Sequence, residues 1–219
     1  MTDVLGYQRF GAQGGDWGNA VTTQLAIQFP QSMIGIHLNA SGARPVPEDQ
    51  LTPEEAAWVH AVTIYRQNEL DYFNEQQHKP QTVAFALFDH PLGTAAWIVE
   101  KLKVWSDSGD DLDQTLTKDQ VLMNVMWYLV TDTAGSAVWF YRGNADDPAG
   151  VRPARIMTPT GFAAFPKEMT PLEPPRSLLE RDFNLVHYTK MPRGGHFACF
   201  EQPKLFVDDV REFFRTLRA

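Results

Sequence analysis

A chain of 219 residues, 43% hydrophobic and 21% charged, has the composition of an ordinary globular protein and the length of one domain, or of one domain with a large insertion. Its formal charge of −8 argues against a nucleic-acid or anionic-membrane surface, so neither is expected as a partner. The single cysteine, Cys199, excludes an internal disulfide and suggests a cytoplasmic setting, with the thiol expected as a small buried apolar group.

The first six residues, MTDVLG, lack the basic and apolar regions of a signal peptide, and no apolar run approaches the roughly 20 residues that cross a bilayer. "YQRFGAQG", Tyr7–Gly14, reads as a short strand. "WGNAVTTQLAIQF", Trp17–Phe29, reads as a helix, with Val21, Leu25 and Ile27 or Gln28 on its apolar period and Pro30 as its stop. A second strand, "MIGIHLN" (Met33–Asn39), follows a helix length downstream, which is the rhythm of a parallel sheet. The polar, proline-rich Ser41–Glu55 then opens a stretch of helical patterns at Ala56–Tyr72, Thr94–Trp105 and Lys118 to about Val138. Between them, "SDSGDDLD" (Ser106–Asp113) is expected as an exposed acidic turn rather than a metal site. Strand signals return in "ARIMTPTGFAAF" and "FNLVHYTKMP". The chain closes on a helix whose stripe of Leu205, Val207, Val210, Phe213, Phe214 and Leu217 should pack on a sheet.

Three positions in this α/β frame suggest chemistry. In "GGDWG", Asp16 stands at a strand-to-helix corner with small residues two before and two after it, the pattern that lets a strained turn push a nucleophile out above a sheet. A carboxylate is already ionised at neutral pH and attacks an electrophilic carbon directly, leaving an ester, so strained rings or good leaving groups suit it and amides do not. The plainer alternative for Asp16 is a helix N-cap in a glycine-rich turn. His196, in "PRGGHFACFEQP", follows the last strand and precedes the final helix, where an α/β-hydrolase carries its histidine. Glu168, in the loop after "RIMTPTGF", stands where the acid should be, with Glu173 and Glu180 as rivals that spacing alone leaves open.

Five segments, "GGDWG", "HKPQTVAFALFDHPLGTAAWIVEKLKVWSD", "NVMWY", "PTGFAAFPKE" and "RGGHFACFEQP", together resemble the microsomal type of epoxide hydrolase, including its soluble bacterial members, from about Tyr7 to Leu217. The resemblance implies an α/β-hydrolase fold with an all-helical cap inserted into the sheet. Residues 1–40 and 151–219 would then form the hydrolase core and 41–150 the cap. It further implies that Asp16 opens an epoxide by attacking a ring carbon, that His196 activates water against the ester, and that Glu168 orients the histidine. Tyr72 in "LDYFNEQQHKP" and Tyr141 in "SAVWFYRGN" match the two cap tyrosines that hold and protonate the epoxide oxygen, with Tyr65, Tyr128 and Tyr188 as controls. Trp17 is expected to lend its backbone N–H to the ester's developing charge and its indole to the pocket. The substrate would be a small-molecule epoxide handled in a detoxification reaction, with no metal or organic cofactor.

Departures from the pattern stand at Asp71, where relatives carry glycine, at Trp139, often arginine, and at His90, which replaces serine in Asp-Ser-Pro. No His-Gly-Trp-Pro loop precedes Asp16, so the resemblance covers the C-terminal portion of the family fold, and the strand bearing Asp16 is expected to present an edge open to self-association. A haloalkane-dehalogenase-like hydrolase, with Trp17 and Trp139 binding the halide, is the competing enzyme. An inactive fragment that completes its sheet with a partner is the competing non-enzyme.

Overall fold

The computed structural model describes residues 1–40, 44–146, 155–169 and 172–218. It divides into an α/β unit, Met1–Val62 with Val151–Ala219, and a helical unit, Thr63–Gly150.

In the α/β unit, a short helix α1 (Thr2–Leu5) precedes β1 (Phe10–Gly14), α2 (Trp17–Gln28) and β2 (Met33–Leu38). After the helical excursion come β3 (Ile156–Ala164), α9 (Arg176–Asp182), β4 (Phe183–Lys190), α10 (Ala198–Glu201) and α11 (Pro203–Thr216). The strands form one sheet in the order β1-β2-β3-β4, every pairing parallel, with Gly14 opposite Leu38, Leu38 opposite Phe162 and Phe162 opposite Tyr188. Parallel strands covered by helices are apolar on both faces, and Ile36, Leu38, Phe162 and Phe183 accordingly form the core with Leu179. Loops that leave the carboxyl ends of such strands are where α/β sheets build their sites. Asp16 follows β1, Glu168 follows β3 and His196 follows β4.

The closing helix packs on the sheet by way of glycines. A Cβ at Gly11 would lie 2.3 Å from Phe214, one at Gly35 2.5 Å from Leu217, and one at Gly161 2.8 Å from Phe213. Three adjacent strands thus present bare backbone to the aromatic stripe of α11. The stripe itself differs from the expectation, because Val207 is exposed and the helix instead buries Asp209. Asp209 Oδ2 lies 2.8 Å from His37 Nε2 of β2, and Oδ1 lies 2.8 Å from His187 Nε2 of β4, so one carboxylate ties α11 to two strands. The apolar period expected of α2 holds in part. Leu25 and Ile27 pack against the core, but Val21 is exposed, and Asn19, Thr22, Thr23 and Ala26 are the buried residues of the helix.

The helical unit takes over within α3 (Pro53–Glu69) and continues with α4 (Asp71–His78), α5 (Pro80–Asp89), α6 (Pro91–Trp105), α7 (Lys118–Val130) and α8 (Ala134–Asp146). The continuous helix expected from Lys118 to Val138 is broken: Asp132 has φ 53°, and Thr131 closes α7 by donating its N–H to the Trp127 carbonyl. No change in apolar period marks that break; only the polar run Thr131-Asp132-Thr133 does. Pro80 starts α5, which periodicity alone missed, and Pro91 starts α6 three residues before the expected Thr94. His90 caps α6 by accepting the Leu92 N–H on Nδ1 at 3.1 Å, so an imidazole performs the task of the serine more usual there. The stretch expected as an exposed turn is mixed, with Ser106 and Ser108 buried while Asp110, Asp111 and Asp113 face solvent. Among the described residues no single helix is long and apolar enough to cross a membrane; α5 and α6 pass that test only when joined across a 115° bend.

Candidate active site

The corner after β1 is strained where chemistry was expected. Asp16 has φ 47° and ψ −126°, a conformation that costs an L-residue on the order of 1–3 kcal/mol and must be held by its surroundings. Gly14 is what permits it, since a Cβ there would lie 2.0 Å from the Gly18 carbonyl oxygen and 2.6 Å from Thr22 Oγ1. Gly18 is different: a Cβ at that position meets nothing within 4 Å. The two glycines that flank the corner symmetrically in sequence therefore carry unequal constraints.

Polar groups brace the turn from below. Gln13 Nε2 donates to Asn39 Oδ1 at 2.7 Å, and a Cβ on Gly15 would run into that same Asn39 oxygen at 2.6 Å. The Asn19 backbone N–H is shared between the carbonyls of Gly15, at 3.2 Å, and Asp16, at 3.0 Å. Its side-chain amide donates to the Ala40 carbonyl, and its Oδ1 accepts from Thr23 Oγ1 at 3.2 Å. These bracing residues were absent from the sequence-based expectations. Their only signal is position, as polar residues near the carboxyl end of β1, in the first turn of α2 and just after β2.

His196 joins the two carboxylates. Its Nε2 lies 3.2 Å from Asp16 Oδ2 and its Nδ1 lies 2.5 Å from Glu168 Oε1. The imidazole is almost wholly buried, at 6% exposure, Glu168 is 13% exposed, and the Asp16 side chain remains 44% exposed, open to an incoming reactant. Burial alone would push the histidine's pKa down. Hydrogen bonds to Asp16 and then Glu168, with the negative charge of both, outweigh it and hold the imidazolium up to about 10. Both rivals for the acid lie elsewhere: Glu173 pairs with Lys190 at 3.2 Å, and Glu180 forms a surface pair with Arg176 at 2.7 Å. The acid loop is tied to the histidine loop through the Lys167 N–H, which donates to the Gly194 carbonyl at 3.1 Å.

In the helical unit, Tyr72 and Tyr141 are neighbours, ring centroids 6.1 Å apart and nearly perpendicular. Trp105 and Phe73 complete the cluster, at 5.2 Å from Tyr72 and Tyr141 respectively, and Lys101 Nζ stands 4.6 Å over the Tyr72 ring. Of the control tyrosines, Tyr128 packs in the small core around Val83 and Val138, and Tyr188 donates to the Pro174 carbonyl at 2.9 Å. Trp17 occupies the first position of α2, where the positive end of the helix dipole favours negative charge, and Trp139 is exposed. Cys199, expected to be buried, is exposed; the short α10 turns it outward while Ala198 takes the inward position. Among the described residues no cluster of three or more His, Cys, Asp or Glu side chains could hold a metal ion.

No protein-family model matches the chain. Curated relatives do. A Stigmatella aurantiaca protein is 40% identical over 98% of this chain and 49% of its own length. Epoxide hydrolase 1 of Sus scrofa is 33% identical over 97% of this chain and 52% of its own. Among solved structures, juvenile hormone epoxide hydrolase from the silkworm Bombyx mori superposes with a TM-score of 0.84 at 28% identity, covering 99% of this chain and 57% of that one. Aspergillus niger epoxide hydrolase gives 0.80 at 28%, over 99% and 55%. The chain spans about half the length of the curated relatives it matches.

Proposed function

We propose that this chain, which belongs to the epoxide-hydrolase family and has the α/β-hydrolase fold, carries the apparatus that opens an epoxide through an ester on Asp16 and then hydrolyses that ester to release a vicinal diol. The observation that carries the proposal is the imidazole of His196, held between Asp16 at 3.2 Å and Glu168 at 2.5 Å, with Asp16 on a strained corner.

The electrostatics suit a two-step reaction. In the resting pair Asp16 is an anion and His196 a cation, so the carboxylate is ready to attack a ring carbon while the histidine is no base. Attack breaks the carbon–oxygen bond, and the departing oxygen takes up a proton. Tyr72 and Tyr141 are the donors in this proposal, supported by their adjacency, and the net proton comes from the imidazolium. Ester formation then removes the negative charge that Asp16 contributed to holding the imidazolium. The neutral imidazole, kept in orientation by Glu168, can now take a proton from water as it adds to the ester carbonyl. Collapse returns Asp16 as an anion and His196 as a cation, so the proton count closes over one turnover. Trp17, opening α2 beside the nucleophile, is the proposed source of the N–H that meets the developing oxyanion.

Single turnover in 18O-labelled water tests the route. Because water attacks the ester carbonyl, the label should enter the Asp16 carboxylate while the first diol keeps an unlabelled oxygen. Label appearing only in the first diol, with none on Asp16, would overturn the ester mechanism.

A further inference from the structure

The loop that bears His196 is held by a third carboxylate that no step above uses. Glu201, at the end of α10, is 8% exposed. Its Oε2 accepts the backbone N–H of Gly195 at 2.9 Å, and its Oε1 accepts the backbone N–H of Phe197, also at 2.9 Å. Those are the residues immediately before and after His196. One side chain therefore fixes the peptide on both sides of the imidazole. Just upstream the backbone has a positive φ, 110° at Gly194, whose missing Cβ would sit 2.8 Å from Phe165.

We propose that Glu201 is a positioning residue for the hydrolytic base: by clamping the amides of Gly195 and Phe197, it aims the His196 ring so that Nδ1 meets Glu168 and Nε2 meets Asp16. The inference rests on the reading of His196 as the base. Geometry favours it over a general packing role. An apolar residue at 201 would fill the same space but take away the carboxylate that accepts both N–H groups, directly beside the residue whose orientation matters most. Charge-assisted acceptance by a carboxylate is roughly twice as strong as a neutral bond, and two parallel contacts restrict rotation as one does not. Metal sites and catalytic triads obey the same logic, in which the group behind the reacting side chain sets its direction. Three carboxylates bear on the histidine segment: Asp16 and Glu168 on the ring, and Glu201 on the backbone.

Two substitutions separate aim from charge. Glu201→Asp keeps the negative charge but withdraws it by one methylene, too far to reach both amides. Glu201→Gln removes the charge but keeps the length and one acceptor oxygen. The measurement is the titration midpoint of His196 by 15N NMR of its imidazole in the full chain, assigned by comparison with His196→Gln. Because the raised midpoint depends on ring contacts with Asp16 and Glu168, mis-aiming should lower it by about one pH unit or more in Glu201→Asp and by less than half as much in Glu201→Gln. A larger fall in the glutamine variant, an equal fall in both, or no fall in either overturns the proposal. Hydrogen exchange in the unsubstituted protein provides a test that no variant's folding can obscure. The Gly195 and Phe197 amides should exchange slowly, and rapid exchange of either overturns the clamp. Asp16→Asn distinguishes failure of the underlying site: if it leaves the His196 midpoint where it was, the pairing of His196 with Asp16 is wrong, whatever Glu201 does.

Discussion

The two units place their polar and apolar groups in opposite ways. In the α/β unit the core is apolar and closed, yet polar groups are drawn into it: His37 and Asp209 are buried, the His196 side chain is 6% exposed, and each has a polar partner within 2.5–3.2 Å. In the helical unit the buried core is small, and one face of α7 exposes Leu122, Met123, Met126, Trp127 and Val130 to solvent. Precise chemistry belongs where backbone geometry is fixed by a sheet, and the aromatic cluster of Tyr72, Tyr141, Trp105 and Phe73 depends only on side chains meeting between helices. Substitutions in the first unit should therefore act on discrete steps, and those in the second should act by degrees.

The largest effect should come from Asp16→Asn, which removes the proposed nucleophile. Turnover of an epoxide is expected to fall on the order of 10⁴-fold or more with no change in the thermal midpoint beyond a few degrees, read by diol formation and calorimetry. Retention of more than about a tenth of the activity would break the distinction between the units.

Next comes Asp209→Ala, which leaves two imidazoles without their shared acceptor and should cost about 2–4 kcal/mol in urea unfolding. Burial pushes the Asp209 carboxyl up, but contacts from His37, Thr189 and His187 outweigh it and hold it below the usual carboxylate range. A depressed acid stabilises the fold above its unfolded value and loses that contribution as pH falls through the lower folded value. The difference between the native protein and Asp209→Ala should accordingly shrink below about pH 4 and stay constant above it.

Tyr72→Phe and Tyr141→Phe probe the helical unit. Each should slow ring opening by about 10²-fold while leaving hydrolysis of a preformed ester unchanged, which pre-steady-state quench-flow resolves. If either slowed only the hydrolysis, the two tyrosines would not be the donors.

The smallest expected effect is at Gly18. Gly18→Ala, with open space around its Cβ, should shift stability by less than about 1 kcal/mol, whereas Gly14→Ala drives a methyl against the Gly18 carbonyl and should cost several times more. Equal costs would show the corner to be built otherwise.

What was legible in the sequence was whatever the backbone dictates. Asp16 and His196 could be located because a parallel sheet puts its loops at strand ends and because glycines accompany a strained turn. Tyr72 and Tyr141 rested on resemblance, since an aromatic on a helix carries no periodic signature of its role. Spacing could not choose among Glu168, Glu173 and Glu180; the choice depends on which carboxylate the Gly194 loop meets, a contact made across 28 residues of sequence. Gln13, Asn39, Asn19 and Glu201 escaped notice because each acts through a hydrogen bond to a side chain or peptide that only the fold brings near, and such a residue looks, as a letter, like any surface residue. Cys199 was misjudged for a related reason: average burial of a residue type says nothing about a four-residue helix that turns it outward.

The central claim is a covalent bond at one carboxylate, and intact-mass and peptide analysis of the His196→Gln variant mixed with an epoxide tests it most directly. Without its proposed base the variant should accumulate one equivalent of adduct, heavier by the whole epoxide, on the peptide that contains Asp16, and Asp16→Asn should carry none. A His196→Gln protein that turns epoxide into diol with no adduct on that peptide would contradict it.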